Sequence, residues 1–512
     1  NDFVMLDAVH GYEFLRVDTG GRQRRQDLFF RFSNFPNSTA SIRYPNIFGM
    51  AILAGWKHGS NSIEFHSSHS FLSTLANLDT RGDADSSYSS YSIGSPLHAD
   101  INDICWIGDI LLTGSNDCTV TLSKFDGTNF VSIADLPPHE SCVRGVCSSR
   151  HQGTCLDLLV TCGGKLSMEF YLLDTSSSSS YHQMTGNNVS FLCSYRTLAK
   201  ASIDHRMNAV RATPLFPREK QCHLVVGGDS DGNLHVCLIS QCALPRRTVV
   251  GTILHGNGRP VLCLELLRFS GKILAIVGTT GGEVTIWVFP GSIDISNAGV
   301  GDKEVHVVLP TSPIFSYCAH QTGVNDISAA IVDSPSPDGT SVVVCTVGDD
   351  QSLSTCVLRF PDSSQDPDTP LMPISQLLLI TESASASALK AVQLVVDSSA
   401  FNRIYTTGHD RQLTLWQLNI SLDEISVKCV SSSPLGTDGS CIDYVCRVQD
   451  DGSIHEMIAV GGEGVEVQSF NRNILHAACK LHEANYLLIT TGAGFSSYSG
   501  LQTYECAPSE YR

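Results

Sequence analysis

The sequence predicts an all-β chain folded as a β-propeller of seven blades, and three observations carry that prediction. Seven times an aliphatic run reaches a small-residue turn rich in glycine and acidic residues, then leaves on a second short apolar run. Taking one glycine per copy (Gly114, Gly163, Gly227, Gly278, Gly348, Gly408, Gly461), the spacings are 49, 64, 51, 70, 60 and 53 residues, enough in each interval for a four-stranded blade plus a loop insertion. Within the runs, residues such as Val284, Ile286 and Val288 alternate as strands do, and Asp-Gly, Asn-Asp or Gly-Gly pairs supply the hairpins.

Residues 1–97 hold an eighth, weaker copy at Ala54-Gly55 with Ile63-Glu64-Phe65 after it, either a blade of this propeller or the end of an earlier one. The propeller proper is expected over 98–475. Its clearest copies run from Leu111 through Asp117 into Val120-Thr121-Leu122, and from Leu224 through Gly232 into Leu234-His235-Val236. Others follow at Ala275 to Trp287, Val343 to Leu353, Ile404 to Trp416 and Ile458 to Val467. Polar insertions at 83–95, 176–180, 333–339 and 361–373 are expected between the outer strand of one blade and the inner strand of the next. The tail 476–512 has one apolar run, Tyr486 to Thr491, which would close the ring or pack beneath it.

Trp287 and Trp416 stand late in a third strand, as in WD repeats, where the indole packs between blades and can join a turn aspartate and an upstream histidine. His98, His139, His205, His255 and His320 stand before innermost strands and read as structural because they recur with the blades.

Net charge is −18 and charged residues make up 16% of the chain, so bulk electrostatics will not attract nucleic acid. RNA contact would have to come from local patches: Arg22, Arg24 and Arg25; Arg206 and Arg211; Arg246 and Arg247. The nineteen cysteines include no C-x-x-C pair, and many lie in apolar strands, which reads as a reduced, cytoplasmic protein without zinc. The chain begins at Asn1 and has no apolar segment of about 18 residues, which argues against a signal peptide or membrane span.

No enzyme motif stands up. Gly228-Asp229-Ser230-Asp231-Gly232 fits G-x-S-x-G, but a strand follows it where a nucleophile elbow needs a helix. His482-Glu483 lacks the second histidine of a zinc-protease helix, and there is neither a phosphate loop nor a dinucleotide fingerprint. No catalytic residue, metal ligand or cofactor-binding residue is assigned.

Several segments together resemble one family, the WD-repeat partner subunit of the FtsJ-type tRNA 2′-O-ribose methyltransferase that modifies the anticodon wobble position. They are Asp18 to Arg25; His98 to Ile104 leading to Leu112 to Val120; His139-Glu140-Ser141-Cys142-Val143-Arg144 with Leu159 to Lys165; His205 to Val210; Arg259 to Leu264; His320 to Ile327; and Ile458 to Gly464. The "H-x-S-x-V-R" and "S-x-GGK/R" pair is the most specific. Family members are about twice as long, so the chain resembles their C-terminal half. The resemblance implies a noncatalytic subunit that binds the methyltransferase and helps position tRNA, while the partner holds S-adenosylmethionine. Arg144, Arg206, Arg211 and Arg259 would be contact residues; for Arg144 and Arg259 a salt link to a neighbouring blade is an equal reading. The rival function is a protein-interaction propeller with no RNA role, such as a ubiquitin-ligase receptor or trafficking adaptor. Trp416-Gln417 and Trp287-Val288 lack the W-D-x-R of such receptors.

Overall fold

A computed structural model describes residues 100–471, apart from short connecting segments, together with five strands in the first 66 residues. Six four-stranded antiparallel sheets and one three-stranded sheet follow in chain order, each a meander. Their innermost strands are Ile101–Ile107, Val143–Arg150, Met207–Pro214, Val261–Phe269, Val324–Val332, Leu389–Val395 and Cys441–Val448. Each lies against the innermost strand of the next blade, and the seventh lies against the first, so the ring is closed. The architecture is a seven-bladed β-propeller.

The strands at 2–66 form separate two- and three-stranded sheets; the weak copy at Ala54-Gly55 falls on Gly49–Lys57, which pairs with Ser60–His66. The tail 476–512 lies outside the described residues.

Apolar alternation explains why the blades stack. Second and third strands are buried on both faces, as in Ile110–Ser115 and Asn402–Gly408, because each blade is covered by a neighbour on either side. The buried residues divide into seven clusters, one per junction. The junction of blades 7 and 1 unites Cys441, Met457, Ala459, Val465 and Val467 with Ile101, Ile104 and Trp106. Trp106, Phe125 and Phe130 extend it, with ring centroids 5.0–6.4 Å apart. Trp287 packs at the junction of blades 3 and 4, and Trp416 at that of blades 5 and 6.

The repeated glycines lie where the seven hairpins were expected, at the end of each second strand. Their role differs from the one read in the sequence. None of the seven has a positive φ; that conformation falls on turn residues such as Gly232 (φ 86°) and Gly282 (φ 76°). Instead they make room for a close approach, by the next blade at Gly114, Gly278 and Gly461 and by the start of their own blade's innermost strand at Gly163, Gly348 and Gly408. A Cβ on Gly278 would stand 2.8 Å from Val324 Cγ1, and one on Gly461 would stand 3.0 Å from Ile101 Cγ2 across the closing junction.

The insertions also sit differently. Segment 176–180 falls between the third and outer strands of blade 2, 361–373 between those of blade 5, and 333–339 between the first two strands of blade 5. Hairpin loops inside a blade lengthen without disturbing the junctions, which is why they absorb the excess spacing.

Between blades 6 and 7 a fully buried ion pair adds to the apolar cluster. Arg403 donates to both carboxylate oxygens of Glu456, and the two side chains are 1% and 0% exposed. Breaking such a pair leaves a buried charge uncompensated, so Glu456→Ala is expected to lower the unfolding free energy by about 3–5 kcal/mol in urea titrations. The double replacement Arg403→Met/Glu456→Leu should recover most of that stability.

Candidate functional site

The third residue of the innermost strand is aspartate in three blades, and each pins a neighbour. Asp103 accepts from Ile104 N and, across the junction, from Val146 N at 2.9 Å. Asp326 does the same with Ile327 N and Val392 N. Asp443 accepts from Tyr444 N and from Trp106 N at 2.6 Å, joining blade 7 to blade 1. One residue earlier, Asn102, Asn208 and Asn325 donate to Val143 O, Val261 O and Leu389 O of the next blade.

These aspartates line the central channel with Glu265 and Arg211. Arg211 Nη1 lies 3.5 Å from Asp103, Nε lies 3.4 Å from Glu265, and Nη1 donates to its own Val210 O. Arg211 is therefore placed inside the channel, paired with carboxylates from blades 1 and 4. Burial pushes Asp326 and Asp443 up to about 7, against the pull of their backbone N–H donors and of Arg211. It raises Asp103 and Glu265 as well.

Above the channel, the second position of blade 2 carries Arg144 where other blades carry a pinning asparagine. Arg206 and Arg259 stand in the segments entering the innermost strands of blades 3 and 4. Arg206 and Arg259 are exposed and Arg144 is half-buried. Among the described residues, none of the three guanidinium groups has an ion-pair or hydrogen-bond partner. Arg259 lies over the blade 4 hairpin, its Nη1 filling the space a Gly281 side chain would occupy. The salt link to a neighbouring blade is thus not formed by Arg144 or Arg259. Arg22, Arg24 and Arg25 lie outside the described residues.

The His139–Arg144 and Leu159–Lys165 segments come together as one unit. A Cβ on Gly164 would overlap the side chain of Ser141, so only glycine admits Ser141 there. Lys165 and Arg196 both bind Glu140, at 2.8 and 2.6 Å, while Gly164 bridges to Arg206 of blade 3. Beneath them His139 is buried, with Nε2 2.8 Å from Thr161 Oγ1. His320 in blade 5 is built alike: Nε2 meets Thr346 Oγ1, and Nδ1 meets Asp350 and Ser352. Burial lowers the pKa of both histidines, against the pull of Glu169 on His139 and of Asp350 on His320. His205 instead pairs with Asp231 nearer the surface, and His98 and His255 are outside the described residues. Trp287 and Trp416 donate to Thr285 and Thr406.

The sequence reading missed Asp229 and His235. They form a buried chain, Tyr195 Oη–His235 Nδ1 (2.9 Å) and His235 Nε2–Asp229 (2.8 Å). The Asp-x-x-x-x-x-His spacing was visible, but nothing in it says that residues at either end of a hairpin share one face. Ser230 Oγ accepts from Arg206 N, and the strand Asn233–Ser240 follows, so the G-x-S-x-G match is a hairpin. Among the described residues no group of His, Cys, Asp or Glu is arranged to hold a metal ion, and no helix is long and apolar enough to cross a membrane.

No family model matches the sequence, and no curated protein does. Among solved structures, the WD40 β-propeller domain of Doa1 is similar at 14% identity, covering 73% of this chain and 93% of that one, with a TM-score of 0.41. The chain is a seven-bladed propeller by its own sheet order and ring closure.

The channel carboxylates make stability depend on pH. A folded-state pKa raised from the ordinary carboxylate value to about 7 favours the protonated form, so the stabilisation is full below about pH 4 and is lost as pH rises through 7. Comparing wild type with Asp326→Asn/Asp443→Asn isolates this effect, because His139 and His320 titrate alike in both. The melting-temperature advantage of wild type over the variant should shrink steadily from about pH 5 to about pH 7.5.

Proposed function

We propose that the chain is the noncatalytic propeller subunit of a tRNA 2′-O-ribose methyltransferase complex, binding an FtsJ-type enzyme and helping position tRNA for wobble-position methylation. The observation that carries this reading is the trio Arg144, Arg206 and Arg259 at the channel mouth of consecutive blades, unpaired among the described residues of a chain of net charge −18. An exposed guanidinium that pairs with nothing adds nothing to the fold, yet it offers donors matched to phosphate oxygens. It also agrees with the resemblance: Arg144 ends the most specific motif pair, which folds into one surface unit. The acidic remainder suits a basic enzyme bound elsewhere on the propeller. S-adenosylmethionine and the methyl transfer then belong to the partner, and this chain contributes surface and orientation.

Binding to phosphates releases counterions, so the reading fixes a salt dependence. Replacing Arg144, Arg206 and Arg259 together by glutamine should weaken binding of a tRNA transcript at low salt and flatten the plot of log K against log salt by about 0.7–0.9 for each phosphate left unneutralised. Unchanged affinity and slope would remove the trio from the RNA interface. In cells, depletion should erase the ribose methyl group at the wobble position, and affinity recovery should bring down an FtsJ-type enzyme. Intact methylation with no such enzyme recovered would leave a propeller scaffold without an RNA role.

A further inference from the structure

The outermost strand of a propeller blade has a free backbone edge, and such edges are usually blunted against pairing with other chains by bulges, shortness or charge. Among the described fourth strands of this ring, one edge is not blunted. The outer pairings of blades 1, 2, 3 and 6 each contain a β-bulge. Blade 4 has an outer strand of only four residues, Phe315–Cys318. Blade 5 differs from all of these: Ser375–Thr381 pairs with Leu353–Pro361 over seven consecutive residues with no bulge.

The side chains on that strand differ too. Met372 and Ile374, just before it, and Leu378 and Ile380 on it are 50%, 63%, 41% and 43% exposed, while Leu377 and Leu379 turn inward onto the junction with blade 6. With Gln376 between them, they form an apolar stripe at every second residue on one face. The outer strand of blade 6 exposes Ser426, Lys428 and Ser431 instead, and that of blade 1 exposes Ser132 and Asp135 beside Val131. Isolated exposed apolar residues need no explanation, but a stripe in register along an unbulged edge does.

The geometry points to the outer edge of blade 5 as a docking site for an extended segment of another protein, one that adds a fifth strand, places apolar residues two apart against the stripe, and carries basic residues at its ends. Strand addition supplies the backbone bonds and the alternating stripe supplies selectivity. Charge decides the flanks. Glu382 is exposed where the stripe ends, and at the opposite end Arg359 donates to Ser421 O, bringing up the blade 6 turn with exposed Leu422, Asp423 and Glu424. Seven paired residues span about 23 Å at the usual rise, the length of an ordinary strand.

The test uses the full chain and a labelled synthetic peptide, Lys-Lys-Val-Thr-Val-Thr-Val-Lys-Lys, with a scrambled peptide of the same composition as control. Anisotropy titration should show binding at least tenfold tighter than that of the scrambled peptide, and hydrogen exchange should slow within 375–381. Leu378→Ser/Ile380→Ser should weaken binding at least tenfold while leaving the melting temperature unchanged, because both side chains point outward. Phe191→Ser, which removes a still more exposed apolar residue from the bulged edge of blade 2, should have no effect. Equal binding of both peptides, protection elsewhere in the chain, or indifference to the double variant would overturn the proposal. So would a concentration-dependent dimer in sedimentation that the double variant dissolves, since the edge would then belong to a second copy.

Discussion

Closure of the ring is the constraint on which everything else in this molecule depends. No blade buries its own faces; each is covered only by its neighbours, so an open ring would leave two apolar sheets in water. Apolar contact is strong but does not fix register, whereas a hydrogen bond to a particular backbone N–H does. The polar pins on the innermost strands supply that register. At the closing junction Asp443 holds Trp106 N, while Ile101 sits against the space beside Gly461. The same aspartates are buried along the channel, and the cost of that burial appears as raised carboxylate pKa values, held down in part by Arg211.

Much of this was legible in the sequence, for a physical reason. The end of each second strand is approached too closely for a side chain, by the next blade or by the start of its own innermost strand, so the glycine recurs once per blade and counts the blades correctly. What the glycine does was not legible, because a turn glycine and a clearance glycine look alike until φ is known. Insertions were misplaced for a related reason. The count of residues between glycines shows that a blade is long but not which hairpin holds the excess.

Side-chain pairing was harder still. Arg211 reads as one more member of a basic patch beside Arg206, yet strand alternation sends it into the channel, where its partners come from blades 1 and 4. Such partners are set by depth along the channel, a property of ring geometry that no local spacing encodes. His139 and His320 were legible as repeated structural groups because each stands four residues before its innermost strand. Blade 6 puts Ser385 in that place, where it donates to Asp410, so the position persists while the residue type changes.

The second position of the innermost strand separates structural from available charge. Asparagine there in blades 1, 3 and 5 spends its amide on the next blade's carbonyl. Lys390 in blade 6 spends its charge on Asp349 at 2.6 Å. Arg144 in blade 2 has no such partner among the described residues, and the adjoining blades add Arg206 and Arg259 in the same condition. Ion pairing within the described residues does not account for the three, whether exposed like Arg206 and Arg259 or half-buried like Arg144. Repulsion among them is tolerable in an acidic chain, and it falls when an anion arrives. Their placement on consecutive blades leaves three guanidinium groups at one end of the innermost strands without a carboxylate among the described residues.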